Sequence, residues 1–333
     1  MELFRESRYS APELTPTAWL SDEPAHLGAL RGQVVLLDFF SYGDPAGMAE
    51  LPALESLAKG YAGVGLSVVG VHIPAYPFER SVEDARLEVL RRGIPWPIAH
   101  DGSFDTWRAY ENRNLPARFL LDSGGAIRGW HHGAGGLPEV EAGVRTLLRE
   151  AGETDLPPAV VFPPGLIRPG VLRWRATPEI RFRADAGDDG ASTRPEESTL
   201  GQHHFEDWPE LREEGRAYLR GSWDVGAESI TTASEETGLA VVHSSAGVHI
   251  VAAAREHASV HVTLNGAPPG PQDAGADLLP EDEIARIPVD DGRVYEVTGS
   301  ASFGTRNLEL TIHGVGVEIH LLHFRTAEVP ASG

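Results

Sequence analysis

Apolar positions follow two different rhythms along this chain, and the change between them divides it. In the first half, strand-length apolar runs alternate with segments whose apolar residues recur every three or four positions. Gln33–Phe40 is apolar after its first residue except for Asp38, the pattern of a central strand buried on both faces. The run stops at Ser41-Tyr42-Gly43. Asp44 then stands where a helix cap belongs, with Pro45 at the first helical position and Met48, Leu51, Leu54, Leu57 and Ala58 at helical spacing behind it.

Leu66–His72 reads as the next strand, and Ser81–Arg92 as a helix with Val82, Ala85, Leu87, Val89 and Leu90 on its apolar side. A short extended segment at Ile98–His100 and a helical turn at Asp105–Tyr110 follow. Leu115–Asp122 is another strand, which Ser123-Gly124-Gly125 turns back through Ala126–His131. A last helix, Pro138–Ala151, turns Val140, Val144, Leu147 and Leu148 toward the sheet. The alternation predicts an α/β sandwich over residues 1–152.

From Gly152 to Gly170 the prolines and glycines predict a linker, or a stretch laid over the surface, assigned as residues 153–172. Ala184–Thr199, rich in Gly, Asp, Ser and Glu, reads as a second irregular region. Beyond it the rhythm is that of short strands: Ala217–Trp223, Leu239–His243, Val248–Ala253, Val260–Leu264, Arg293–Val297, Asn307–Ile312 and Val315–Phe324. Asn265-Gly266 and Asp291-Gly292 are tight-turn dipeptides. Seven or more antiparallel strands predict a jelly-roll type β-sandwich over residues 173–333.

A length of 333 residues and a hydrophobic fraction of 41% suffice for two packed cores. The formal charge of -21 argues against nucleic acid and anionic membrane surfaces as partners, since both would repel it. Met1–Glu6 carries acids and no apolar leader, and the longest apolar runs are strand-sized, so the expectation is a cytoplasmic protein with no membrane span. Lys59 is the one lysine among abundant arginines, a composition that points to no function.

The first-half residues resemble the thioredoxin superfamily, and more narrowly the redoxin domain of TlpA-like and DipZ-type proteins, found also in NHL-repeat proteins. The matching words are Val34–Tyr42, Val69-Gly70-Val71-His72, Thr106–Tyr110 and Leu115-Pro116-Ala117, within about residues 15 to 151. The resemblance places Asp44 and Gly47 at the two catalytic cysteines, Asp38 at the buried acid six positions earlier, and Pro116 at the cis-proline beside the active site. Yet the chain contains no cysteine. Thiolate attack on a disulfide needs sulfur, and no neighbouring group replaces it. In the second half, Thr177-Pro178-Glu179, Leu219–Trp223 and Val262–Gly266 resemble the C-terminal domain of DipZ-type proteins, which is similar to a carbohydrate-binding module.

Two functional readings remain open. In the first, the fold is a non-catalytic scaffold that takes a protein, peptide or small ligand in the former redox groove, at Tyr42, Asp44, Gly47, Leu115 and Pro116. In the second, Asp44 and Asp38 form an acid/base dyad beside His72, because two close acids in a dry site acquire different pKa values. Asp44 has a plainer role in either case, as a helix cap. His72, His100 and His132 with Asp44 or Asp101 could assemble a metal site, but no metal-ligand spacing is present, so neither metal nor cofactor is expected. Trp174, Trp208, Tyr218, Trp223 and Tyr295 are the rings available for sugar stacking, and core packing is the plainer reading of each.

Overall fold

The computed structural model describes residues 2–3, 9–162, 171–182, 200–281 and 284–329. The stretch 163–170 of the assigned linker and the whole Ala184–Thr199 region lie outside these residues. The chain divides into two compact units, Met1–Gly170 and Val171–Gly333. Among the described residues no helix is long and apolar enough to cross a membrane.

The first unit runs β1 (Glu2–Leu3), β2 (Ala18–Trp19), β3 (Val34–Phe40), α1 (Pro45–Ala49), α2 (Leu51–Tyr61), β4 (Leu66–His72), α3 (Val82–Arg92), β5 (Ile98–His100), α4 (Asp105–Ala109), β6 (Ala117–Leu121), β7 (Ile127–His132) and α5 (Leu137–Glu150). Its sheet has the order β1-β7-β6-β3-β4-β5-β2, with β3 parallel to β4 and antiparallel to β6. Side chains on β3 alternate between faces as strand geometry requires. Val34, Leu36 and Phe40 pack with Leu54, Leu57, Tyr61, Val89, Val144 and Leu148 of the helices. Val35, Leu37 and Phe39 pack on the other face with Tyr110 and Phe119. Full burial of such side chains contributes about 1.5–3 kcal/mol each, which makes β3 the anchor of the unit.

Two details depart from the sequence pattern. The helix expected behind Pro45 is two helices, broken at Glu50, because Pro52 lacks the N–H that a continuous helix would use there. The segment after Gly152 lies on this unit. Leu156, Val160 and Phe162 pack against its core, Val160 N donates to Glu141 Oε1 at 2.7 Å, and Arg145 Nη1 donates to the Pro157 carbonyl at 2.7 Å.

The second unit is all-β: β8 (Ile180–Arg181), β9 (Gly201–Phe205), β10 (Ala217–Val225), β11 (Ile230–Thr232), β12 (Glu236–Ala253), β13 (Ala258–Leu264), β14 (Leu279–Glu281), β15 (Ile284–Val289), β16 (Arg293–His313) and β17 (Glu318–Arg325). The order is β14-β15-β13-β16-β12-β10-β11-β17-β8, with β9 on β10 and a further β12–β17 pairing that closes β12, β10, β11 and β17 into a ring within the path. Strands expected as separate pairs, 239–243 with 248–253 and 293–297 with 307–312, are halves of the long β12 and β16. Register shifts near Ser245–Gly247 and Val248 bend them, so each serves both faces of the core. That core holds Trp223, Val248, Ile250, Tyr295 and Leu310.

Candidate functional site: the former redox groove

The site is built where β3 ends. Asp44 has extended backbone, and its side chain accepts from Ala46 N (3.2 Å) and Gly47 N (3.1 Å), capping α1 with Pro45 at the first helical position. This is the plainer role expected for it. A side chain at Gly47 would begin 3.7 Å from Pro116 Cβ and only 2.7 Å from Asp44 Oδ2. Asp44, Gly47 and the cis Leu115–Pro116 turn therefore meet at one place, and part of the space at Gly47 is filled by the Asp44 carboxylate.

Asp38 faces inward on the helix side of β3. Its cross-strand partner is Arg118 on β6, and Arg118 Nε donates to Asp38 Oδ1 at 2.9 Å. The break at Glu50 turns a second carboxylate to the same guanidinium, with Arg118 Nη1 2.8 Å from Glu50 Oε2. Gly135 closes the cluster: its N–H donates to Glu50 Oε1 at 2.5 Å, and its carbonyl accepts from Arg118 Nη1 at 3.3 Å. Burial pushes both carboxyls above the ordinary range, and the Arg118 charge pulls them back. A small cavity lined by Asp38, Arg118, Gly47, Trp96, Phe40 and Leu54 lies beside them. Its volume of about 10 Å³ is at the ~10–15 Å³ that a single water needs.

His72 is buried at the end of β4 rather than at an open rim. Its Nδ1 lies 2.9 Å from His100 Nδ1, its Nε2 lies 3.4 Å from Glu79 Oε1, and its ring stacks on Tyr42 with centroids 5.1 Å apart. Glu79, fully buried, also accepts from Ser41 Oγ (2.7 Å), Gly43 N (2.9 Å) and Tyr76 N (2.9 Å). Burial, reinforced by the Glu79 charge, holds the Tyr42 hydroxyl far above its usual pKa. Burial and then His72 push His100 down to about 4.

The residues singled out in the sequence thus separate into three settings. Tyr42 and His72 belong to the Glu79 network, Asp38 to the Arg118 cluster, and Asp44, Gly47, Leu115 and Pro116 to the groove. Nothing local marks Arg118, Glu50 or Glu79: Arg118 meets Asp38 across 80 residues and also reaches Glu50, and Glu79 takes Ser41 and Gly43 from 38 and 36 residues away. For the metal arrangement considered above, Asp101 instead caps α4 through Thr106 N and Trp107 N, and His132 packs edge-on to Phe119. Among the described residues no cluster of three or more His, Asp or Glu side chains could hold a metal ion.

In the second unit, Trp223 and Tyr295 are core residues. Trp208 carries the Arg212 and Arg220 guanidinium groups at 5.4 and 4.8 Å, Arg216 covers Tyr218 at 5.3 Å, and Trp174 stacks on Phe303.

Comparison with known proteins agrees with this picture. Residues 177–324 match the family described as "Thioredoxin like C-terminal domain". Protein DipZ of Mycobacterium bovis is 29% identical over 310 residues, covering 88% of this chain and 43% of that protein. The chain thus spans less than half the length of its DipZ relatives. Thiol-disulfide oxidoreductase YkuV of Bacillus subtilis is 26% identical over 144 residues, covering 43% of this chain and 97% of that one. A solved thioredoxin-like protein in its oxidised form is 26% identical, with a TM-score of 0.40, over 43% of this chain and 97% of its own. The chain is thus similar to DipZ over most of its length and to thiol-disulfide oxidoreductases over its first half, matches the thioredoxin-like C-terminal domain over residues 177–324, and contains no cysteine.

Proposed function

We propose that this chain is a binding protein: a scaffold without thiol chemistry that takes an extended peptide or small ligand in the groove at Asp44, Gly47, Leu115 and Pro116, with the buried Tyr42 ring supporting its lip from behind. The observation that supports this most is the commitment of both candidate acids. Asp44 serves its own helix and Asp38 serves Arg118, so the groove keeps its shape while the groups beneath it are already paired. Extended segments bind such places through backbone hydrogen bonds, with small pockets selecting the side chains. The acidic surface favours neutral or basic partners over nucleic acid or anionic membranes.

The second reading, non-thiol acid/base chemistry with Asp44, Asp38 and His72, draws support from the Asp38 carboxyl held above its ordinary range beside a cavity. That cavity has room for about one water, which leaves little space for a substrate.

The test is a capture experiment from cell extract with the wild type and Asp44→Arg, alongside reduction of insulin disulfides by dithiothreitol. Expected are bound species lost from Asp44→Arg and insulin reduction equal to buffer. Identical captured sets, or reduction above buffer, would overturn the proposal.

A further inference from the structure

One buried network lies outside the groove but holds its lip. Glu79 receives hydrogen bonds from Ser41 Oγ, Gly43 N and Tyr76 N, so both its oxygens act as acceptors. His72 Nε2 then carries the hydrogen that points at Glu79. A neutral His72 in that tautomer has a bare Nδ1, and the 2.9 Å contact requires His100 to donate from its own Nδ1. The chain of donors therefore has one direction, from His100 through His72 to Glu79 and out to the loop 41–43. The Tyr42 ring lies on His72, and the space a side chain at Gly43 would need is occupied by the Tyr76 ring, so the lip packs on the network from above.

We propose that His100, His72 and Glu79 form a proton-operated latch that fixes the lip of the groove, residues 41–44 and 76–78, at neutral pH and releases it in acid. This rests on the reading of the groove as a binding site. Only one hydrogen fits between the two facing Nδ1 atoms. A second proton makes both facing Nδ1 atoms donors, and at 2.9 Å they repel. The two rings must then part, which disturbs the stacking of His72 on Tyr42 and with it the loop 41–43.

The surrounding charges do not replace this. Asp101 beside His100 caps α4, Glu88 is paired with Arg91 and Arg92, and Asp84 with Glu88 and Arg92 acts on the Tyr42 hydroxyl. Thr17 Oγ1 donates to the His100 carbonyl, not to its ring. The low pKa of His100, about 4, agrees with a second proton that arrives only in acid.

The test is amide hydrogen exchange of the whole protein without a partner, between pH 7 and pH 4, corrected for intrinsic rates. Gly43 and Tyr76 are expected to lose about tenfold or more of their protection relative to Leu120, a core amide of β6. His100→Gln leaves Glu79 and its three donors in place but removes the titrating ring, so the pH dependence is expected to vanish. The latch is overturned if Gly43 and Tyr76 track Leu120 in the wild type, or if His100→Gln changes with pH as the wild type does. Neither result depends on a ligand, so failure here leaves the groove reading to its own test.

Discussion

Arg118 and Asp38 are cross-strand partners in the interior of the first sheet, Nε to Oδ1 at 2.9 Å, and Arg118 reaches Glu50 with its other nitrogen. A buried guanidinium between two carboxylates thus lines the small cavity that Gly47 also borders. Removing the charge on one side leaves two uncompensated acids in the core. Arg118→Met is expected to cost about 3–5 kcal/mol of unfolding free energy, read from urea denaturation. A loss below 1 kcal/mol would mean that the cluster is better hydrated than its burial implies.

Asp44 has a smaller and more local role. Asp44→Ala removes both acceptor oxygens from the start of α1 and is expected to cost about 1 kcal/mol, while Asp44→Ser keeps a cap and loses less. Thermal melts of the three proteins, followed by circular dichroism, give the comparison. Equal melting of Asp44→Ala and the wild type would remove the cap from the account.

Acid should weaken the protein through its buried histidines. Burial and then His72 hold His100 at about 4, burial and then Arg306 hold His243 at about 4, and burial, His323 and Arg325 hold His249 at about 3. Their ordinary value is 6.5, so between pH 6.5 and 4 the unfolded chain binds protons that the folded chain refuses, and stability falls with pH. Asp38 and Glu50 act the other way: their native carboxyls sit above the ordinary range, so their contribution is full in acid and lost as pH rises through those values. His100→Gln is expected to flatten the acid limb of the stability curve by about 3 kcal/mol at most. An unchanged acid limb would contradict this.

Much of the first unit was legible because strand and helix periods differ and β3 is apolar on both faces. Asp38, Gly47 and Pro116 stood out through the resemblance to redoxins, and Asp44 took the cap role its Pro45 neighbour implied. Arg118 was hidden inside the strand word Leu115–Asp122, and Glu50 inside a helix that Pro52 breaks. Glu79 sits in a short 3-10 turn, Pro77–Arg80, with no periodic signal of its own. All three gain their meaning from partners distant in sequence. In the second half, Ser244–Gly247 reads as a turn, whereas it is the bent middle of β12. Asp291-Gly292 joins β15 to β16, which are not neighbours, because β13 lies between them.

Gly43 offers a local check on the lip. A methyl group there would run into the Tyr76 ring, so Gly43→Ala is expected to displace Tyr76 and weaken its stacking on Phe78, visible as ring-current shifts in proton NMR. The far strands should be unaffected. Unchanged Tyr76 and Phe78 resonances would show that the lip adapts freely.

The central proposal is that this cysteine-free, thioredoxin-like scaffold binds a partner at Asp44, Gly47, Leu115 and Pro116. It is tested most directly by a photoreactive benzophenone residue placed at Leu115 in the groove, with a second at Leu211 on an exposed face of the second unit as control. The account expects a crosslinked partner from position 115 that disappears when Asp44→Arg is added, and no such species from position 211. Crosslinks of equal yield from both positions, or a position-115 adduct indifferent to Asp44→Arg, would contradict it.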